Sequence, residues 1–125
     1  MDHRRLGRTG LNPSVIGFGA FKIGRNQKVK YPSGYDLPTD DEVARLLDGV
    51  LACGINFFDT AAAYGLSEER LGTYFANRRE PVILSTKVGE TFEDGRSTYD
   101  YTSAAIRRRR GTARCRLFVP AHLAG

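Results

Sequence analysis

The stretch NFFDTAAAYGLSEERLG, residues 56–72, runs from apolar residues into Asp59, through a small-residue loop that carries Tyr64, and on into a helix start. Ile55 to Thr60 is a compact run bounded by Gly54 and the alanines, the form of a strand buried on both faces. Ser67 can cap the following helix, Leu66 and Leu71 occupy the two positions of a hydrophobic staple, and Glu68 and Glu69 suit the positive end of the helix dipole. That helix is expected to reach Asn77. A strand that hands an acid and a tyrosine to the loop before a helix is one βα unit, so its neighbours decide the fold.

On the N-terminal side, Val43, Leu46, Leu47, Val50 and Leu51 recur at helical spacing. Thr39 and Glu42 make a T-x-x-E capping box and Gly54 offers a left-handed stop, which predicts a helix from near Asp40 to near Cys53. On the C-terminal side, Pro81 leads into VILSTKVG, a second buried strand ending at Lys87 or Val88. The opening RRLGRTGLNPSVIGFGAFKIG reads as a hairpin, with a turn around Gly7 to Gly10 and a second strand near Val15 to Phe18. Arg25 to Pro38 reads as a surface loop, ETFEDGRSTYDY as a polar loop, and TSAAIRRRR as a helix that Gly111 and the arginines spoil. The order strand, helix, strand, helix, strand predicts an α/β fold with right-handed βαβ units in a parallel sheet.

The apolar fraction of 41% and charged fraction of 26% are those of a globular protein, and no run of about 18 apolar residues exists to span a membrane. The basic start MDHRRLGRTG lacks the apolar stretch of a secretory signal. Cys53 and Cys115 are far apart and have no metal-type spacing, so neither a disulfide framework nor a metal site is expected, and the cytoplasm is the expected location. The net charge of +5 owes much to Arg107, Arg108, Arg109, Arg110, Arg114 and Arg116. A polyanion-binding module is therefore the alternative functional class. Stacking aromatics are absent from that cluster, with Phe118 alone nearby, which weighs against nucleic acid as a partner.

Parallel α/β folds present reactive groups at the carboxyl ends of their strands. Asp59 stands at the end of one strand and Lys87 at the end of the next, about 4.8 Å apart if the strands are neighbours, so the two can pair. An ammonium beside the Tyr64 hydroxyl favours the phenolate and readies it for general acid–base catalysis at a carbonyl oxygen. No side chain carries a hydride, so the site implies a nicotinamide. Singly, each residue has a plainer use: Asp59 in an Asx turn, Tyr64 as a packed loop aromatic, Lys87 as a surface charge. Their convergence at consecutive strand ends favours the chemical reading. GFGAFKIG does not fit G-x-G-x-x-G, although a tight backbone at Gly19 and Ala20 lets a cofactor approach closely.

Together, LGRTGL, GFGAF, GINFFDTAAAYGLSEERLG and ILSTKVG resemble the aldo-keto reductase family from Arg5 to about Ile106, in that family's order. The resemblance implies the N-terminal part of a (β/α)8 TIM barrel preceded by a β-hairpin, and an NADP-dependent oxidoreductase, with NAD as the alternative, that reduces a small carbonyl or sugar substrate or works in reverse. It matches Asp59, Tyr64 and Lys87 to three members of the family's catalytic tetrad, with Tyr64 as proton donor. Gly19, Ala20 and Phe21 match the segment beside the cofactor, with Asp59 at its edge.

Two departures accompany it. A complete barrel takes about 250 residues, so the barrel is incomplete in this chain. The family pattern also breaks at Arg109, which divides the chain into a partial reductase domain, 1–108, and a divergent basic tail, 109–125, of the kind a frameshift makes. The tetrad histidine is missing from its expected place, and His122 is the candidate in the tail. These departures lead to the expectation of a truncated fragment with little or no turnover, open to self-association or to completion by a second chain through its unpaired strand edges. The loop NQKVKYPSGYDLPTD is placed at the substrate mouth by position.

Overall fold

A computed structural model describes residues 1–112. Arg114, Cys115, Arg116, Phe118, Pro120 and His122, and with them the expectations for the tail, lie outside the described residues, as do the side chains of Arg109 and Arg110. The sheet that organises the chain contains β1 (Phe18–Gly19), β2 (Phe57–Asp59) and β3 (Ile83–Ser85), in that order and all parallel. Between them run α1 (Asp40–Ala52) and α2 (Ser67–Phe75), as the strand–helix alternation requires. The expected β/α units are present.

Helix α1 begins where the capping box puts it. The Thr39 hydroxyl accepts from the Glu42 N–H, and the Glu42 carboxylate accepts from the Thr39 N–H at 2.7 Å. Its apolar stripe supplies Val43 and Leu47 to a core with Ala20, Ile23, Phe58, Leu71 and Leu84. Phe58 is fully buried at the centre of β2, and its ring meets Phe75 at 5.1 Å and Phe18 at 5.9 Å. With one face of β2 on the helices, the alternate residues Phe57 and Asp59 stay only half-buried.

Four local readings need correction. The N-terminal arm pairs with residues 11–15 through a His3–Ser14 bridge and bonds such as Arg4 N–H to Pro13 O at 2.9 Å, while Phe18–Gly19 leaves the hairpin to become β1. Glycines at positive φ, Gly7 and Gly10, make the reversal, so the turn was placed correctly but the second arm was placed too late. Ser67 does not cap α2; its hydroxyl bonds to that of Thr60 at 2.8 Å inside the protein, and Leu66, half-exposed, stands at the cap. The segment read as a polar loop is an antiparallel hairpin of β4 (Glu90–Glu93) and β5 (Arg96–Tyr99). Asp94 and Gly95, at φ 50° and 73°, form its two-residue turn, an Asp-Gly pair suited to both left-handed positions. Lastly, α3 (Ser103–Thr112) continues through Gly111.

Candidate active site

Strand register brings the acid to its place. Gly19 pairs with Asp59, and Asp59 with Ser85, so the carboxylate projects from the carboxyl end of the middle strand. The Asp59 carbonyl accepts from Ala20 N–H and the Thr60 N–H donates to Ser85 O, both at 2.8 Å, which carries the sheet's hydrogen bonding one step past its named strands. Lys87 lies two residues beyond β3 rather than at its end. From there its Nζ reaches Asp59 Oδ2 at 2.6 Å and Thr60 O at 3.3 Å.

Tyr64 ends a single 3-10 turn, Ala62–Tyr64, that follows Ala61. Its ring faces the Lys87 ammonium, with Nζ 4.8 Å from the ring centroid, and meets Phe21 edge-on at 5.0 Å. The three residues that sequence reasoning placed together are thus together in space. Partial burial pulls the Lys87 pKa down, but hydrogen bonds to Asp59 and Tyr64 and the charges of those groups outweigh it, so the ammonium persists above the ordinary lysine value of 10.5. The side chains of Lys87 and Asp59 remain 50% and 38% exposed, open to a ligand.

Two glycines hold the tyrosine turn against the loop before it. A Cβ on Gly24 would stand 2.1 Å from the Tyr64 carbonyl oxygen and 2.3 Å from the Ser67 nitrogen. Gly65, at φ 59° and ψ −118°, would drive a Cβ to 2.3 Å from the Gly24 oxygen, which already accepts from Leu66 N–H at 3.0 Å. Neither glycine was singled out from the sequence, because a contact between two backbones leaves no side-chain pattern to read.

The expected cofactor segment divides in its exposure. Gly19 is exposed, and a Cβ there would meet nothing within 4 Å; Phe21 is half-buried against Tyr64; Ala20 is wholly buried, with its N–H spent on Asp59. Beneath the site the Thr86 hydroxyl donates to the buried Glu68 carboxylate at 2.5 Å, tying the exit of β3 to α2. A cleft of about 870 Å³ lies between Gly24–Gln27, the start of α2 and the β4–β5 hairpin. None of Asp59, Tyr64 and Lys87 lines that cleft, so it is separate from the acid–base cluster. Among the described residues no group of His, Cys, Asp and Glu is arranged to hold a metal ion, and no helix is long and apolar enough to cross a membrane.

Residues 15–118 match the model of the aldo/keto reductase family. Among curated proteins, the uncharacterized oxidoreductase YrpG of Bacillus subtilis is 38% identical over 104 residues, 75% of this chain and 28% of that protein. L-galactose dehydrogenase of Arabidopsis thaliana is 33% identical over 113 residues, 86% of this chain and 32% of that enzyme. Among solved structures, a holo-form aldo-keto reductase from Bacillus halodurans superposes with a TM-score of 0.74 at 32% identity, over 94% of this chain and 37% of that one. The chain therefore spans about a third of its relatives' length, and its parallel strands and helices are part of their (β/α)8 barrel. On the strength of a family match that takes in the strands, both glycine contacts and the acid–base cluster, the chain belongs to the aldo/keto reductase family.

Proposed function

We propose that Asp59, Tyr64 and Lys87 are the acid–base end of an NADP-dependent carbonyl reductase site, with NAD as the alternative cofactor and a small carbonyl compound or sugar as substrate. The observation that carries this reading is the Lys87 ammonium, 2.6 Å from the Asp59 carboxylate and 4.8 Å above the Tyr64 ring. Bare, exposed backbone at Gly19, beside Asp59 in register, leaves room for a flat ring, and Phe21 would flank it. Ala20 contributes only through its backbone. A bound nicotinamide supplies the hydride that goes to the carbonyl carbon. The Tyr64 hydroxyl gives its proton to the carbonyl oxygen, Lys87 stabilises the negative charge left on the phenol oxygen, and Asp59 holds Lys87 in place. Oxidation of an alcohol runs these transfers backwards.

The 125 residues by themselves are expected to turn over little or not at all. Each of β1 and β3 keeps an edge unpaired among the described residues, whereas a closed barrel takes about 250 residues. Those edges fit completion by a second chain or by self-association. The exposed thiol of Cys53, unpaired among the described residues, suits a reducing cytoplasm. Consumption of NADPH with a panel of aldehydes and sugars tests the whole reading, using the chain alone and the chain mixed with the C-terminal remainder of a relative's barrel. Only the mixture should react, and Tyr64→Phe or Lys87→Met should slow it by about 10²- to 10⁴-fold. Full activity of the Tyr64→Phe mixture would remove Tyr64 as the acid; ordinary enzymatic rates from the chain alone would remove the fragment reading.

A further inference from the structure

The turn that presents Tyr64 is built of alanines and closed by a glycine, so it has no polar side chain of its own to fix it. Arg25 supplies one from outside. Its side chain is only 11% exposed; Nη1 donates to the carbonyl oxygen of Ala63, the residue before Tyr64, at 2.9 Å, and Nε donates to Gln27 O at 3.0 Å. The guanidinium lies flat enough on the hairpin to put its carbon 3.7 Å from the Phe92 ring centroid, and Nη1 is 3.8 Å from Glu90 Oε1. Glu90 is in turn held by the Ser97 hydroxyl across the hairpin at 2.8 Å. The Arg25 carbonyl accepts from the Tyr35 hydroxyl, which fixes the loop that carries the arginine.

A guanidinium can do this because its donors point along fixed, coplanar directions while its face stacks on an aromatic ring. One cation thereby joins three segments that share no strand pairing: the loop after β1, the tyrosine turn and the β4–β5 hairpin. We propose that Arg25 is a positioning residue for Tyr64, pinning the peptide before it to the hairpin so that the phenol ring faces Lys87. The proposal rests on Tyr64 being the proton donor, but its test reads geometry rather than turnover, so either can fail without the other.

A methylene group above an aromatic ring resonates upfield, so the Lys87 Cε protons in the NMR spectrum of the full chain at neutral pH report the Tyr64 ring directly. Tyr64→Leu sets the reference position without the ring. Arg25→Gln is expected to move the Lys87 resonance at least halfway toward that reference while the methyl signals of Leu47 and Leu71 in the core stay in place. If Arg25→Gln does not fold, Phe92→Leu, which removes only the stacking surface, is expected to move it in the same direction by less. A Lys87 resonance that keeps its wild-type position in folded Arg25→Gln, or in Phe92→Leu where the first variant does not fold, overturns the assignment.

Discussion

At Gly65 the backbone takes a combination of φ and ψ that side chains disfavour, and the space a Cβ would need is filled by the Gly24 carbonyl. Gly65→Ala should therefore cost about 1–3 kcal/mol in urea unfolding. Gly34→Ala, where a Cβ meets open space, should stay within about 0.5 kcal/mol of wild type. Lys87 makes a different kind of prediction. Its pKa is higher in the folded chain than in the unfolded one, so its contribution is fully present below the ordinary value of 10.5 and disappears as pH rises through the higher folded value. The stability difference between wild type and Lys87→Met should thus be steady from neutral to mildly alkaline pH and shrink above 10.5, as unfolding curves at several pH values will register. Asp59, Tyr64 and Lys87 were legible in the sequence because each ends or follows an apolar run. Arg25 was not, since nothing in RNQKVKYPSGYDLP marks one cation of a polar loop as buried.

Between elements, α1 and α2 are joined by a small polar cluster: the Tyr74 hydroxyl donates to Asp48 Oδ1 at 2.6 Å, and Arg78 Nη2 reaches the same oxygen at 2.7 Å while stacking 4.1 Å over the Tyr74 ring. The Tyr74 hydrogen bond, followed by Arg78, holds the Asp48 carboxyl below the usual carboxylate range, and burial with the Asp48 bond pushes Tyr74 up to about 12. A lowered acid stabilises the fold above its unfolded pKa and is lost as pH falls; a raised phenol stabilises below its unfolded pKa and is lost as pH climbs toward 12. Asp48→Asn should then lower the unfolding midpoint most between about pH 5 and 9, with the gap closing at both ends. At the N-terminus of α1, Thr39→Ala should cost about 1 kcal/mol, because the Glu42 N–H loses the hydroxyl that accepts from it.

Helix α1 could be read from its cap and stripe to within a residue of its end, since both signals are local. The β4–β5 hairpin was missed for an identifiable reason. Its arms are polar, ETFE mostly half-buried and RSTY mostly exposed, so no apolar alternation appears, and the Asp94–Gly95 turn was the one usable sign. Ser67 misled in the opposite way: a residue type suited to capping was taken up by a buried partner, Thr60, that only the folded chain brings near.

For the molecule as a whole, the core is small and its centre is β2. Phe58→Ala should cost about 3–5 kcal/mol, a large part of what a domain of this size can have, and calorimetry should show a broad or absent transition. Among the described residues β2 is also the one strand of the parallel sheet with hydrogen-bonded neighbours on both sides. In deuterated solvent its flanks do not open independently, and the amide protons of Phe58 and Thr60 should be among the last to be replaced, long after those of the hairpin. Asp59 sits between those two amides, so the carboxylate inherits the slowest breathing of the backbone while the groups it meets stand on segments that loosen sooner.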